Sequence, residues 1–228
     1  MNFKHSLFPT VMASAARWLG LALLLALLGA CGTLTKPSST PMASYYALES
    51  APRVAAAPAA MPAPARAGAT ATVVVTNPHA AAGYDSQRII YVREPHKLEY
   101  FANSEWIDAP QRMLGPLVAT ALQDSGAFAA VVQTPGAPVG DMRLDTEIIR
   151  LHQDFSTSPS RVRFTLRAWL LADRSRRVMA WREFDQVVPA ASDDPYGGVI
   201  AANRAVQAAL AELATFFAEA ARMPVPLK

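Results

Sequence analysis

The chain has 228 residues, 17% of them charged, with a formal net charge of +3 and a single cysteine. That length suits one domain plus a leader or tether. One cysteine excludes an internal disulfide framework and a cysteine-rich metal site. Lys4 and Arg17 lie in the leader, so the remainder carries only about +1, with its Lys and Arg interleaved among Asp and Glu. A basic nucleic-acid footprint is therefore not expected.

The N-terminus opens with Lys4 and Arg17, no acidic residue, and an apolar run from Trp18 to Leu28. Basic, apolar, then small residues before a cut is the layout of a secretory signal. The run is shorter than the roughly 20 residues a membrane-spanning helix needs. The cut falls between Ala30 and Cys31, removing residues 1–30. Leu28-Gly29-Ala30-Cys31 resembles the lipobox of bacterial lipoproteins. The competing reading is a plain signal peptide with an incidental cysteine. The resemblance implies diacylglycerol on the Cys31 thiol and acylation of the new amino group, with palmitate among the chains carried. One chain binds a bilayer marginally, and two or more hold stably. Gly32 stands where an Asp favours inner-membrane retention, so the resemblance implies outer-membrane sorting, facing the periplasm of a Gram-negative bacterium.

Residues 31–43 read as a tether, with Pro37 and Pro41 favouring extension. Tyr45-Tyr46-Ala47-Leu48 is a short strand. Residues 51–71 are Ala/Pro-rich, which excludes a continuous helix and predicts a flexible stretch. One domain is expected over 44–222, with a short tail at 223–228.

Within it, Thr72–Thr76 is β-branched and reads as a buried strand, ended by Asn77-Pro78. Arg88–Val92 and Lys97–Phe101 make a hairpin around Glu94-Pro95-His96. Asp108 is the expected N-cap of a first helix, with Pro110 in its first turn and Gly126 at its C-terminus. Met113, Leu114, Leu117, Val118, Ala121 and Leu122 recur at helical spacing, interrupted by Pro116. Phe128–Val132 is the next strand, reached by a crossover. Three alternating runs follow. Met142, Leu144, Thr146 and Ile148 share one face; Val162, Phe164, Leu166, Ala168 and Leu170 share another. Val178, Ala180 and Phe184 form the third set, with Met179 and Trp181 opposite. Asp145, Glu147, Arg161, Arg163 and Arg167 fall on the outward face, which marks a sheet covered on one side. A last helix of about 25 residues is capped by Ser192, Asp193 or Asp194 and begun by Pro195. The class expected is α+β: a two-layer sandwich, a mixed, mostly antiparallel sheet with two helices on one face.

No glycine-rich phosphate loop, nucleophile elbow or HExxH motif is present. His79, His96 and His152 are scattered, and neither a metal site nor a cofactor site is expected. Asp145 with Glu147 could be a carboxylate pair, but on a solvated sheet face the expectation is ordinary surface. Arg161, Arg163 and Arg167 either pair with acids across strands or bind an anionic partner. Gly83–Pro110 is dense in aromatics. Tyr91, Tyr100, Trp106 and Pro110 are the candidate partner interface, against the alternative that they pack around the first helix.

The lipobox, Tyr45-Tyr46-x-Leu48, Arg88-Ile89-x-Tyr91, Leu98-x-Tyr100, Trp106-x-x-x-Pro110 and Ser125-Gly126-x-Phe128, closed by the Ala-rich helix with Leu213 and Phe216, together resemble the ABC-type transport auxiliary lipoproteins, the PqiC-like family. The Ala/Pro stretch is longer than that pattern leads one to expect. The resemblance implies a non-enzymatic outer-membrane lipoprotein. Its partners would be an MCE-domain periplasmic protein and ABC transporter components, in systems that move lipid between membranes. It also implies a homo-oligomeric ring. Of its positions only Cys31 takes a defined role. The competing expectations are an adaptor for cell-wall synthesis or outer-membrane assembly, a tethered hydrolase, and a direct lipid binder with an apolar cavity.

Overall fold

A computed structural model describes residues 42–50, 69–135 and 139–222. The leader, Cys31, nearly all of the tether, residues 51–68 and the tail at 223–228 lie outside the described residues. The elements run β1 (Ser44–Tyr46), β2 (Thr72–Val75), β3 (His79–Ala80), β4 (Arg88–Val92), β5 (Glu99–Trp106), α1 (Pro110–Ser125), β6 (Ala130–Gln133), β7 (Met142–Asp154), β8 (Arg161–Ala172), β9 (Val178–Pro189) and α2 (Pro195–Ala220).

The strands form one mixed nine-stranded sheet, so the class is α+β. β7 organises it. One of its edges pairs antiparallel with β8 over nearly its full length, from Met142 opposite Ala172 to Asp154 opposite Arg161. The other edge takes three strands in series, all parallel: β2 at Met142–Leu144, β3 at Glu147–Ile148 and β4 at Gln153–Asp154. β9 extends the sheet beyond β8. β5 and then β1 extend it beyond β4. α1 carries the chain across the sheet so that β6 lands parallel to β2. β3, two residues long, carries no sequence signal.

Period-two alternation puts Met142, Leu144, Thr146 and Ile148 on the buried face. A bulge between Ile148 and Arg150 then shifts the phase, so Leu151 and Gln153 continue inward. Val162, Phe164, Leu166, Ala168 and Leu170 face the same core from β8. α1 packs on β2 and β6, and α2 packs on β8 and β9. Phe184 and Phe217 are fully buried, their rings 6.4 Å apart at 65°. Such an edge-to-face pair adds about 1 kcal/mol beyond its area.

Several local readings change. α1 is capped by Ala109, not Asp108, with no side-chain cap. Asp108 instead accepts from the Ala109 N–H and binds Arg112, one turn on. Gly126 ends the helix at φ +63°, the left-handed turn glycine serves without strain. β5 runs on to Trp106 rather than stopping at Phe101. In β9, Val178 does not join Phe184 inside. A register shift between Leu170 and Leu171 leaves Val178 49% exposed and packs Met179 against the core. Of the three capping candidates for α2, Asp194 accepts the Gly197 N–H at 2.7 Å. α2 then approaches the sheet closely, because a Cβ on Gly198 would lie 2.2 Å from Gln153 Oε1.

Candidate partner surfaces

The candidate residues divide by depth. Trp106 is 3% exposed and Pro110 is buried. The Trp106 N–H donates to the Gln87 carbonyl, and its side chain lines a cavity of about 10 Å³ with Ile89, Leu151, Val199 and Ala202. Trp106 thus joins the β4–β5 hairpin to β7 and α2. Pro110 starts α1 against the same core.

Tyr91 and Tyr100 lie further out. Tyr91, half-buried, packs its ring 4.6 Å from Phe101 and 5.7 Å from Phe155. Arg93 sits over its ring at 5.3 Å and is tied by two hydrogen bonds to Glu99. Glu99 is held below the usual carboxylate range, first by the hydrogen bond from Arg93. Tyr100 is 40% exposed, with the Arg88 guanidinium 4.9 Å over its ring. The hairpin therefore carries Tyr100 and Leu98 on one face and the cation-backed Tyr91, with Glu99 and Phe101, on the other. Beyond β5, at the edge strand β1, further exposed large side chains occur that the residue pattern did not flag: Tyr45, Ile107 and Tyr196 are each more than half exposed, with the Tyr196 ring 6.4 Å from that of Tyr46. The signal was present in the Tyr45-Tyr46 pair, but not its pairing with β5, which leaves Tyr45 outward.

The charged ladder on the open face is internally paired. Arg163 binds Asp185 at 2.8 Å, Arg161 binds Asp154 at 3.1 Å, and Arg167 binds Glu183 at 2.9 Å with Glu147 at 3.8 Å. Asp145 accepts from the Thr76 hydroxyl instead. Arg143 and Asp173 form a nearly buried pair at 2.7 Å. Asp173 is held below the usual carboxylate range, first by the Gly140 N–H and then by Arg143.

His152 is half-buried, with the Tyr84 hydroxyl 3.0 Å from Nδ1. Burial pushes its pKa down, against a smaller upward pull from Asp154. His79 and His96 are exposed. Among the described residues no three His, Cys, Asp or Glu side chains cluster as a metal site. Nor is any described helix long and apolar enough to cross a membrane.

The comparisons bear on this geometry. Residues 53–214 match the family model described as the ABC-type transport auxiliary lipoprotein component. A crystal structure of a Xanthomonas campestris protein of the family DUF330 is 26% identical. That match covers 78% of this chain and 96% of its own, with a TM-score of 0.64. A second, uncharacterized protein is 15% identical over 77% of this chain and 99% of its own, TM-score 0.59, a likeness of fold. No curated protein matches the chain.

Proposed function

Because this chain belongs to the ABC-type transport auxiliary lipoprotein family, we propose that it is a non-enzymatic docking component of an MCE/ABC-type lipid transport system. Cys31 anchors it by lipid to the outer membrane, facing the periplasm. A ring of copies receives the end of an MCE-domain protein, through which the lipid passes.

The family match over residues 53–214 is the observation that carries this reading. One other supports it. The tetrapeptide Leu28-Gly29-Ala30-Cys31 has the residue types that lipidation requires. The tyrosines of the β4–β5 hairpin, exposed Tyr100 and half-buried Tyr91, supply the partner surface.

Membrane fractionation of the Cys31→Ala variant tests the anchor. The expected result is an uncleaved, unlipidated precursor absent from the outer-membrane fraction. Unchanged fractionation would overturn it.

A further inference from the structure

The turn between β8 and β9, residues 173–177, carries three arginines and one aspartate. Asp173 is turned inward, where it accepts from the Gly140 N–H and from Arg143. Arg174, Ser175, Arg176 and Arg177 are all exposed. Among the described residues, neither Arg174 nor Arg176 has a side-chain hydrogen bond or ion pair; Arg177 has a partner of its own. The acid beside the tip, Asp141, accepts the Thr72 N–H. Arg174 and Arg176 thus place positive charge without an ion pair at this tip, whereas Arg161, Arg163 and Arg167 of the same face are paired.

Arg176 also holds φ +56°, a left-handed conformation that costs free energy for any residue but glycine. Backbone bonds close the turn, from the Arg176 N–H to the Ala172 carbonyl and from the Ala172 N–H to the Arg177 carbonyl. The Arg176 guanidinium adds a minor pull on the Asp173 carboxylate and is otherwise exposed.

Just below the tip the same face is apolar. Trp169 stands opposite Trp181, and Leu171 opposite Val178. Trp181 is 61% exposed and Val178 49%. Indoles and guanidinium groups on one rim match the boundary of a bilayer, where rings sit among headgroups and cations meet phosphate.

We propose that the β8–β9 tip is a second membrane contact, in which Arg174 and Arg176 engage anionic phospholipid headgroups while Trp181 and Val178 enter the interface. It goes beyond the lipid anchor and needs Cys31 only to bring the tip near a bilayer.

The test uses the mature lipoprotein carrying Ser175→Cys and an environment-sensitive fluorophore. Lipidation leaves that thiol as the only one free. Flotation with phosphatidylcholine vesicles reports the anchor alone, while the label, read on either vesicle, reports the tip. With phosphatidylglycerol added, the label is expected to become shielded and to be quenched by lipid-borne quencher. Arg174→Gln is expected to weaken that response about fivefold. Arg176→Gly is expected to weaken it too, while leaving the melting temperature unchanged or higher. A solvent-like label on both vesicles would overturn the proposal. So would shielding only in native membranes, which would make the occupant a protein. An Arg176→Gly variant that melts lower and responds as before would also overturn it, by assigning the arginine to the fold.

Discussion

Trp106 and Tyr100 lie in one strand six residues apart, yet they do different work. Trp106 fills the junction of hairpin, β7 and α2, so Trp106→Ala is expected to cost about 3–5 kcal/mol and to lower the melting temperature sharply. Tyr100→Ala removes an exposed ring and should change stability by no more than about 0.5 kcal/mol. The proposed partner surface predicts that it nonetheless weakens partner capture, as Tyr91→Ala should. Thermal melts beside pull-downs separate the two roles. Asp173→Asn would leave Arg143 without its carboxylate in a site where the two side chains are 4% and 12% exposed. The expected loss is about 3 kcal/mol, read by denaturant unfolding. Three half-buried or ion-paired groups contribute to the pH dependence. His152 has its folded pKa below the ordinary 6.5. The unfolded chain therefore takes the proton first, and stability falls as pH drops below about 6.5. His152→Gln should remove that slope. Asp173 and Asp185 are both held below their ordinary range, Asp185 first by Arg163. Their stabilisation is complete above the unfolded value near 4 and is lost as pH falls through it toward the lower folded values.

At the level of elements, β7, β8 and α2 were legible because each writes its own period over ten residues or more. Alternation gave the two strands, and Asp194-Pro195 followed by an Ala-rich stripe gave the helix. β3 was not legible, since two residues held by Glu147 and Ile148 of a distant strand have no local signature. Asp108 illustrates a different limit. It has the right chemistry for a cap, but its carboxylate is taken by Arg112 and the adjacent N–H of Ala109. The depths of Trp106 and Val178 depend on irregular register, at Arg88/Ile90 and at Leu170/Leu171, which alternation alone does not reveal. The close seat of α2 on the sheet gives the sharpest element-scale prediction. Gly198→Ala pushes a methyl group against Gln153, whose amide already donates to Ser160 at 2.8 Å. A loss of about 1–3 kcal/mol is expected, with the helix displaced. A melt unchanged from the parent would show that α2 can shift without cost.

Among the described residues, the domain is a sheet with two helices packed on one side. That side makes the core. The proposed function assigns contact with copies and partners to the hairpin and the strand edges. A domain of this kind suits a role set by where it is held and what it meets, and the family it belongs to is one of auxiliary components. The most direct measurement is mild-detergent purification of the tagged, lipidated protein from its own membranes, with quantitative mass spectrometry of what accompanies it. The account predicts an MCE-domain protein in near-fixed ratio to this chain. Recovery of a cell-wall synthase or an outer-membrane assembly factor in its place, or of lipid alone, would contradict it.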